Sequence, residues 1–172
     1  MHPLDKFAFC PACGSRAFEI NNVKSKKCRA CGFIYYANPS SATAAFILNE
    51  QGQLLVARRA FEPAKDTLDL PGGFVDMDET GEEAMRREIA EETGLVVDRV
   101  DYLFSIPNLY LYSGMTIHTL DMFYEVRVAA DAQPQAADDA ASLQWMDLKE
   151  INPLDFGLLS IRQAVTKYMS NR

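Results

Sequence analysis

The sequence predicts an α/β domain preceded by a small cysteine-bearing module. Three observations predict it: strand and helix patterns are mixed from residue 37 onward, a tight turn joins two strands, and all four cysteines lie within the first 31 residues. Charge divides the chain in the same way. Six Lys and Arg oppose two acidic residues up to Ala37, which gives +4, so the remainder carries −11 of the total of −7. We therefore expect two domains, residues 1–36 and 37–172.

The predicted elements of the larger domain alternate between strands and helices. The strands span residues 42–48, 53–59, 68–70, 95–105, 116–128 and 143–146, and the helices span 80–93, 148–151 and 154–169. Residues 49–52 are expected to form the tight turn and 62–66 a loop. His118 is expected to be a buried or partly buried strand residue rather than a ligand, and Trp145 to lie in the core.

The helix over 80–93 has start and stop signals of its own. Thr80 and Glu83 have the spacing of a capping box, in which each side chain bonds the other residue's backbone N–H. Gly94 follows the last helical residue and predicts the end of the helix. Met85 and Ile89 lie on a common face and are expected to anchor the helix in the core.

The cysteines form two C-x2-C pairs, separated by fourteen residues: Cys10, Cys13, Cys28 and Cys31. Two thiolates from each pair can reach one tetrahedral ion, so the pattern predicts a Zn²⁺ site in a zinc ribbon. Four thiolates leave no open coordination position, so the zinc is expected to be structural. A pair of disulfides is the alternative. Because the N-terminus lacks an apolar signal region, we expect a cytoplasmic protein with reduced thiols.

Three carboxylates, those of Glu88, Glu91 and Glu92, are spaced i, i+3 and i+4 and share one face of the predicted helix. Such like charges repel by roughly several tenths of a kcal/mol per pair. A hard divalent cation such as Mg²⁺ would offset this repulsion, because it prefers carboxylate oxygens. For the acidic run alone, a solvated helix face is the alternative.

From Gly73 to Leu95 the chain resembles the signature of the Nudix hydrolases, G-x5-E-x7-R-E-U-x-E-E-x-G-U, at every defined position (U is a bulky aliphatic residue). The resemblance implies an α/β/α sandwich with a mixed sheet, and Mg²⁺- or Mn²⁺-dependent cleavage of a pyrophosphate bond. The metal ligands that it implies are the Gly73 carbonyl and the carboxylates of Glu88, Glu91 and Glu92, one of which would orient the attacking water. Glu79 and Arg87 would form a structural salt bridge.

A further acidic residue beyond the signature often serves this family as a base or ligand. Asp139 is our catalytic candidate, because it lies six residues before Trp145, where related enzymes carry a glutamate. Asp138 and Glu125 are the fallbacks. For each of the three, an ordinary surface acid is the alternative.

A ribbon joined to this signature is similar to the NADH pyrophosphatase family, which carries S-Q-P-W-P-F-P-x-S closely followed by Met. The matching positions here are Ser105, Pro107, Ser113 and Met115, whereas the Gln, the Trp and the later prolines are replaced. Within this segment, Tyr110 and Tyr112 are candidates for stacking on an adenine or nicotinamide ring. Packing at a strand end is the alternative.

These features predict an enzyme that cleaves a nucleoside diphosphate linked to another moiety (NADH, NAD, ADP-ribose or similar) and releases a nucleoside monophosphate. A housecleaning (deoxy)nucleoside triphosphate hydrolase and a nucleotide-sensing module are the alternatives. No apolar run approaches the ~18 residues that span a bilayer, so no membrane contact is expected. Nucleic acid is not expected as a partner either, although the +4 charge of the ribbon leaves weak nucleic-acid contact open as an alternative. Phe33, Tyr35 and Tyr36 are interpreted as ribbon packing and junction. A homodimer is left open.

Overall fold

The structure of the protein, a computed structural model, describes residues 2–129, 131–137 and 140–171. Its contacts divide the chain into two compact units. The smaller unit is Met1–Pro39 with Leu109–His118, and the larger is Ser40–Asn108 with Thr119–Arg172. The expected boundary after residue 36 stays a prediction. Within the described part of the chain, no helix is both long and apolar enough to cross a membrane.

The smaller unit contains a three-stranded antiparallel sheet. Its strands are β1 (Phe18–Asn22), β2 (Ser25–Cys28) and β3 (Ile34–Tyr36), in that order. Each cysteine pair closes a tight turn, because Gly14 N–H donates to the Cys10 carbonyl (2.8 Å) and Gly32 N–H to the Cys28 carbonyl (2.9 Å). The buried cluster consists of Cys10, Phe18 and Cys28. A core this small is expected to need a further cross-link.

The second sheet is mixed. Its strands are β4 (Ser40–Leu48), β5 (Gln53–Arg59), β6 (Leu68–Asp69), β7 (Asp101–Tyr112), β8 (Met115–Arg127) and β9 (Ala140–Asp147). Hydrogen bonds connect them in the order β6-β5-β4-β8-β7, and β9 also pairs with β5. Because β4 runs parallel to β8 and antiparallel to β5, the predicted mixed sheet is confirmed.

Helices cover both faces of this sheet. They are α1 (Gly81–Thr93) and α2 (Leu159–Ser170). Neighbouring residues of a strand point to opposite faces. Ile47 therefore shares a buried cluster with Met85 and Ile89 of α1, whereas Phe46 lies among residues of α2 and stacks on Tyr168, with ring centroids 3.9 Å apart. Each fully buried side chain of this kind contributes roughly 1.5–3 kcal/mol. The α/β/α sandwich that the resemblance implied is thus confirmed.

The signals that bound α1 are confirmed. The Thr80 side chain accepts the Glu83 N–H (3.2 Å), and the Glu83 carboxylate accepts the Thr80 N–H (2.8 Å), which completes the capping box. The helix ends at Gly94, whose φ is +69°. The strand predicted over 53–59 is also observed at those bounds.

The two helices predicted after β9 need correction. Residues 148–150 form a turn, so the short helix over 148–151 is wrong. Asn152 precedes Pro153 and is extended (φ −104°, ψ 116°), which stops helical continuation. The Asn152 side chain accepts the Leu154 N–H (3.1 Å) and caps a 3-10 turn. The chain is extended again at buried Phe156, so α2 begins at residue 159 rather than 154.

Three further expectations are wrong in part. The strand expected over 95–105 starts only at Asp101, because the preceding segment is tied to α1 by Arg86, whose Nε donates to the Asp98 carbonyl (3.1 Å). His118 is exposed, since the buried positions in this part of β8 are Thr119 and Asp121. Trp145 is half-buried and packs against the α1-side cluster.

Candidate functional site

The three glutamates of the signature lie on one face of α1 but differ in exposure. Glu92 is 8% exposed, the Glu88 side chain 13% and the Glu91 side chain 48%. The rotation of the helix explains this, because Met85 and Ile89 are fully buried against the sheet. The helix therefore holds two carboxylates close to the protein interior and leaves the third at the surface.

Arg87 connects the residues of the signature. Its guanidinium donates to both oxygens of Glu79 (3.0 and 2.9 Å) and to the Phe74 carbonyl (3.0 Å). The same guanidinium donates through Nη1 to Glu88 Oε1 (2.7 Å) and Glu91 Oε2 (3.0 Å). The fork geometry of arginine permits this, and lysine could not reproduce it.

Electrostatics around Arg87 favour the charged forms. The pKa of Glu79 lies below its ordinary value, first because its carboxylate accepts hydrogen bonds from Arg87. The pKa of Arg87 is raised in turn, chiefly by the same pair and then by Glu88 and Glu91. Three carboxylates share one guanidinium, so the cluster retains an excess of negative charge. Such an excess attracts cations.

The loop before α1 brings backbone next to the glutamate face. Gly72 N–H donates to Glu92 Oε2 (2.9 Å), and the Gly73 carbonyl accepts the Thr43 N–H of β4 (2.8 Å). Gly72 has φ +155°, and a Cβ there would overlap the Thr43 carbonyl oxygen. At Gly73 a Cβ would overlap the Glu88 carboxylate. Only glycines allow the loop to lie this close to both β4 and α1.

The two sets of expected metal ligands differ in how closely they converge. Among the described residues, the four cysteines are the one group of three or more whose donor atoms all lie within 4.8 Å of one another. Cys10 Sγ lies 3.7 Å from Cys31 Sγ, and Cys13 Sγ 3.7 Å from Cys28 Sγ. A tetrahedron with Zn–S bonds of about 2.3 Å has S···S edges of about 3.8 Å. The cluster is therefore compatible with zinc, whereas the three glutamates are not brought that close.

The cysteine thiols perturb one another. The Cys31 backbone N–H contributes most to lowering the pKa of Cys28 to about 7. The Ser15 backbone N–H acts in the same direction on Cys13, but hydrogen bonds with the neighbouring thiols, first that of Cys31, raise the pKa of Cys13 to about 12. Thiols this crowded resist ionising together unless a cation binds them, and binding would release their protons. All four are free of disulfides.

The other candidate residues are distributed along the two long strands. The rings of Tyr110 and Tyr112 stack, with centroids 6.5 Å apart, and Tyr112 is 62% exposed. Their role in substrate stacking stays a prediction. Glu125 accepts from the Tyr168 hydroxyl (2.7 Å) and from Arg127 (2.7 Å). Asp139 and Asp138 lie outside the described residues.

One polar cluster was not anticipated from the sequence. Asp121 of β8 is 7% exposed and accepts from Asn108 Nδ2 (3.0 Å) and from the Thr119 hydroxyl (2.6 Å). Asn108 stands where the NADH pyrophosphatase motif has its Trp. The sequence did offer one signal: an aspartate stands at an inward-facing position of an alternating strand. A buried carboxylate needs hydrogen-bond partners, so this position could have predicted a polar cluster.

Comparisons with known proteins place these features in a family. A family model described as NUDIX domain matches residues 38–166. The NAD-capped RNA hydrolase NudC of Vibrio parahaemolyticus is 28% identical over 155 residues, which are 89% of this chain and 56% of that protein. The ADP-ribose pyrophosphatase of Methanocaldococcus jannaschii is 32% identical over 123 residues, which are 70% of this chain and 69% of that protein.

A solved structure agrees at the level of the fold. The crystal structure of a NUDIX hydrolase from Nitrosomonas europaea has a TM-score of 0.72 at 22% identity and covers 95% of this chain and 91% of its own. This chain spans about half the length of its NudC relative, at 56%. The family match covers most of the chain, including the whole signature and all of α1, so this chain belongs to the NUDIX domain family.

Proposed function

We propose that this chain hydrolyses a pyrophosphate bond in a nucleoside diphosphate linked to another moiety, and releases a nucleoside monophosphate. One observation carries the proposal: the glutamate face of α1 packs against the Gly72-Gly73 backbone and is cross-linked by Arg87. A solvated acidic helix would need neither the close loop nor the shared guanidinium. The arrangement instead concentrates oxygen donors and negative charge beside an exposed surface.

The donors fit a hard divalent cation. The carboxylates of Glu88, Glu91 and Glu92, with the Gly73 carbonyl, would hold Mg²⁺ or Mn²⁺, because these ions prefer oxygen ligands and retain waters. The three carboxylates are not gathered as closely as the cysteine thiols, which suits an ion whose coordination is completed by waters and substrate phosphates. When bound, the ion would neutralise phosphate oxygens and lower the pKa of a bound water.

The residues of this chain would contribute by position and charge. The Gly72 N–H fixes one Glu92 oxygen, so the carboxylate is oriented before substrate arrives. Arg87 and Glu79 hold the loop against the helix and limit movement of the ligands. One of the signature glutamates would orient the attacking water, and Asp139 remains our candidate for an additional base.

The substrate class rests on the relatives and on the matching Ser105-x-Pro107 frame. An ADP-ribose pyrophosphatase and an NAD-capped RNA hydrolase are similar to this chain, and the substrates in both names contain a nucleoside diphosphate linked to another group. We therefore rank ADP-ribose, NADH and NAD first and add NAD-capped RNA as a test substrate. Hydrolysis of (deoxy)nucleoside triphosphates is the second candidate, since the same metal-binding face would serve it.

The cysteine cluster would hold one structural Zn²⁺. Four thiolates complete its coordination, so the zinc takes no part in hydrolysis.

The chain is also a candidate homodimer. Light scattering of the purified protein tests that proposal, and a single species of monomer mass would overturn it.

A substrate panel tests the hydrolase proposal. The protein would be incubated with Mg²⁺ in ¹⁸O-water and with NADH, NAD, ADP-ribose, NAD-capped RNA, FAD, diadenosine polyphosphates or deoxynucleoside triphosphates, and the products would be identified by mass spectrometry. We expect AMP from NADH or ADP-ribose, with one ¹⁸O in one of the two products. Glu91→Gln and Glu92→Gln should abolish this, whereas Glu82→Gln, an exposed carboxylate of the same helix, should not.

Other outcomes would change the assignment. Release of pyrophosphate from deoxynucleoside triphosphates, without dinucleotide cleavage, would replace the first candidate by the second. Tight binding of one nucleotide without turnover of any substrate would overturn the hydrolase proposal and favour a nucleotide sensor.

A further inference from the structure

We propose that the smaller unit binds single-stranded nucleic acid on a row of three stacked rings, Phe33, Tyr35 and Phe7, called here the aromatic ladder. This proposal is independent of the hydrolase proposal, because the aromatic ladder and the cations invoked for phosphate binding all belong to the smaller unit. The occupant is recognised by base stacking and phosphate charge rather than by sequence.

The rings of the aromatic ladder are nearly parallel and reach solvent. Phe33 and Tyr35 have centroids 6.5 Å apart at 29°, and Phe7 and Tyr35 have centroids 6.3 Å apart at 27°. Their exposed fractions are 37%, 42% and 39% for Phe33, Tyr35 and Phe7. Lys26, opposite Tyr35 on β2, donates to the Phe7 carbonyl (2.9 Å) and holds that segment beside the sheet.

Packing within the ribbon accounts for only part of this arrangement. The buried cluster of the smaller unit is Cys10, Phe18 and Cys28, and no ring of the aromatic ladder belongs to it. The sequence interpretation of Phe33 and Tyr35 as packing residues explains their stacking but not their exposure. Exposed ring faces arranged in a row offer a surface on which successive bases can stack.

The smaller unit also carries exposed cations, and two of them lie over exposed rings outside the aromatic ladder. Besides Arg29, which pairs with Glu19, the exposed ones are Lys6, Arg16, Lys24 and Lys27. Among the described residues, no carboxylate lies within 4.0 Å of the charged nitrogens of these four. Lys24 Nζ lies 6.0 Å from the Tyr36 ring centroid, and the Arg16 guanidinium 5.1 Å from that of Phe9. The unit therefore combines ring faces with positive charge that its own acids do not neutralise.

Charge decides between the occupants. A symmetric contact between two copies would bring the same basic surface against itself, because the same patch is used by both subunits. A single strand of nucleic acid instead supplies phosphates for the cations and unpaired bases for the rings. Its binding should weaken with salt in proportion to the number of phosphates contacted.

Fluorescence anisotropy of a labelled, uncapped oligouridine RNA tests the proposal on the full chain at about 50 mM salt. Tyr35→Ala should weaken binding by about 10-fold, because a stacking face is lost. Tyr35→Phe should retain the affinity, as should Val23→Ala, which alters an 87% exposed apolar residue of the same unit outside the aromatic ladder. Lys24→Gln and Lys27→Gln should each reduce the salt slope by roughly 0.7. Zinc content should match wild type in every variant.

Three outcomes would overturn the proposal. These are no binding of oligouridine at low salt, equal loss in Tyr35→Ala and Val23→Ala, and a dimer that Tyr35→Ala converts to monomer without affecting RNA affinity. Hydrolysis of NADH, measured on the same samples, separates the two proposals. Loss of hydrolysis alone would leave the aromatic ladder standing, and loss of oligouridine binding alone would leave the hydrolase standing.

Discussion

The cysteine cluster and the glutamate face of α1 are both candidate metal sites, yet only in the cysteine cluster do the donor atoms already lie close enough to bind one ion. Cysteine sulfurs lie 3.7 Å apart in two pairs, close to the edges of a zinc tetrahedron. In the glutamate face, Arg87 binds two of the three carboxylates, and the donors do not meet at one point. The difference corresponds to the two proposed roles. A structural ion takes all its ligands from the protein, whereas a catalytic ion is also coordinated by water and substrate.

The cysteine cluster should show the largest response to a single substitution. Cys28→Ser opens the tetrahedron, so zinc should be lost and the smaller unit should unfold, because structural zinc supplies about 10–16 kcal/mol of apparent binding energy. Elemental analysis and limited proteolysis measure the two effects. Ser15→Ala is the control, since Ser15 lies beside the other cysteine-bearing turn, that of Cys10 and Cys13, and its hydroxyl accepts the Ala17 N–H (3.1 Å) without being a ligand. Stoichiometric zinc in Cys28→Ser would contradict this account.

The loop beside the glutamate face should be the next most sensitive element. In Gly72→Ala the new methyl group would overlap the Thr43 carbonyl and Ala44 Cα of β4, which are backbone atoms. We expect a loss of about 3 kcal/mol in the free energy of unfolding. Gly94→Ala is the control: φ is +69° but the methyl group would meet nothing within 4 Å, so about 1 kcal/mol is expected. If urea unfolding showed the same loss of unfolding free energy for Gly72→Ala and Gly94→Ala, the close contact between the Gly72 loop and β4 would be refuted.

Arg87 should matter for both stability and rate. Arg87→Lys retains the charge but loses the fork that binds Glu79, so we expect a loss of about 1–2 kcal/mol in unfolding free energy and a lower kcat. Arg86→Lys is the neighbouring control, because Arg86 donates to the backbone carbonyls of Asp98 and Glu82. Its stability should change by less than about 0.5 kcal/mol. A similar effect of the two substitutions would show that Arg87 has no special role.

Acid stability gives the smallest and most specific test. The pKa of Glu79 lies below its ordinary value of 4.5 because it accepts from Arg87. A carboxylate with a lowered folded pKa stabilises the fold above its unfolded pKa, and this contribution is lost as pH falls through the folded pKa. Glu79→Gln should therefore lower Tm at neutral pH, and the difference from wild type should shrink at pH values below 4.5. A difference that stays constant into strong acid would argue against the ion pair.

Local signals account for the parts of the fold that were predicted correctly. The capping box of Thr80 and Glu83, the stop at Gly94 and the spacing of the glutamates all lie within one helix, so no distant residue decides them. The second helix was misplaced because Asn152-Pro153 and buried Phe156 impose a 3-10 turn and an extended residue first. The burial of His118 was predicted wrongly, because alternation along a strand shows that its residues face two sides but does not show which side is buried.

The hydrogen-bond partners of the site residues could not be predicted from the sequence. The spacing of the signature did not reveal that Arg87 would bind Glu88 and Glu91 as well as Glu79. Nor could it show that Asp121 would be buried beside Asn108, because these residues come from neighbouring strands joined by a turn. Side-chain partners of this kind depend on strand register and burial, and both are known only once the fold is known.

The central claim is that the glutamate face of α1 binds the divalent ion that drives pyrophosphate cleavage. Its most direct test is the rate of AMP release from ADP-ribose at saturating Mg²⁺, together with Mn²⁺ binding followed by electron paramagnetic resonance, in wild type, Glu92→Gln and Glu82→Gln. We predict that Glu92→Gln loses Mn²⁺ affinity and about 10²–10³-fold in kcat, while Glu82→Gln behaves like wild type. Full activity and unchanged Mn²⁺ affinity in Glu92→Gln would contradict the account.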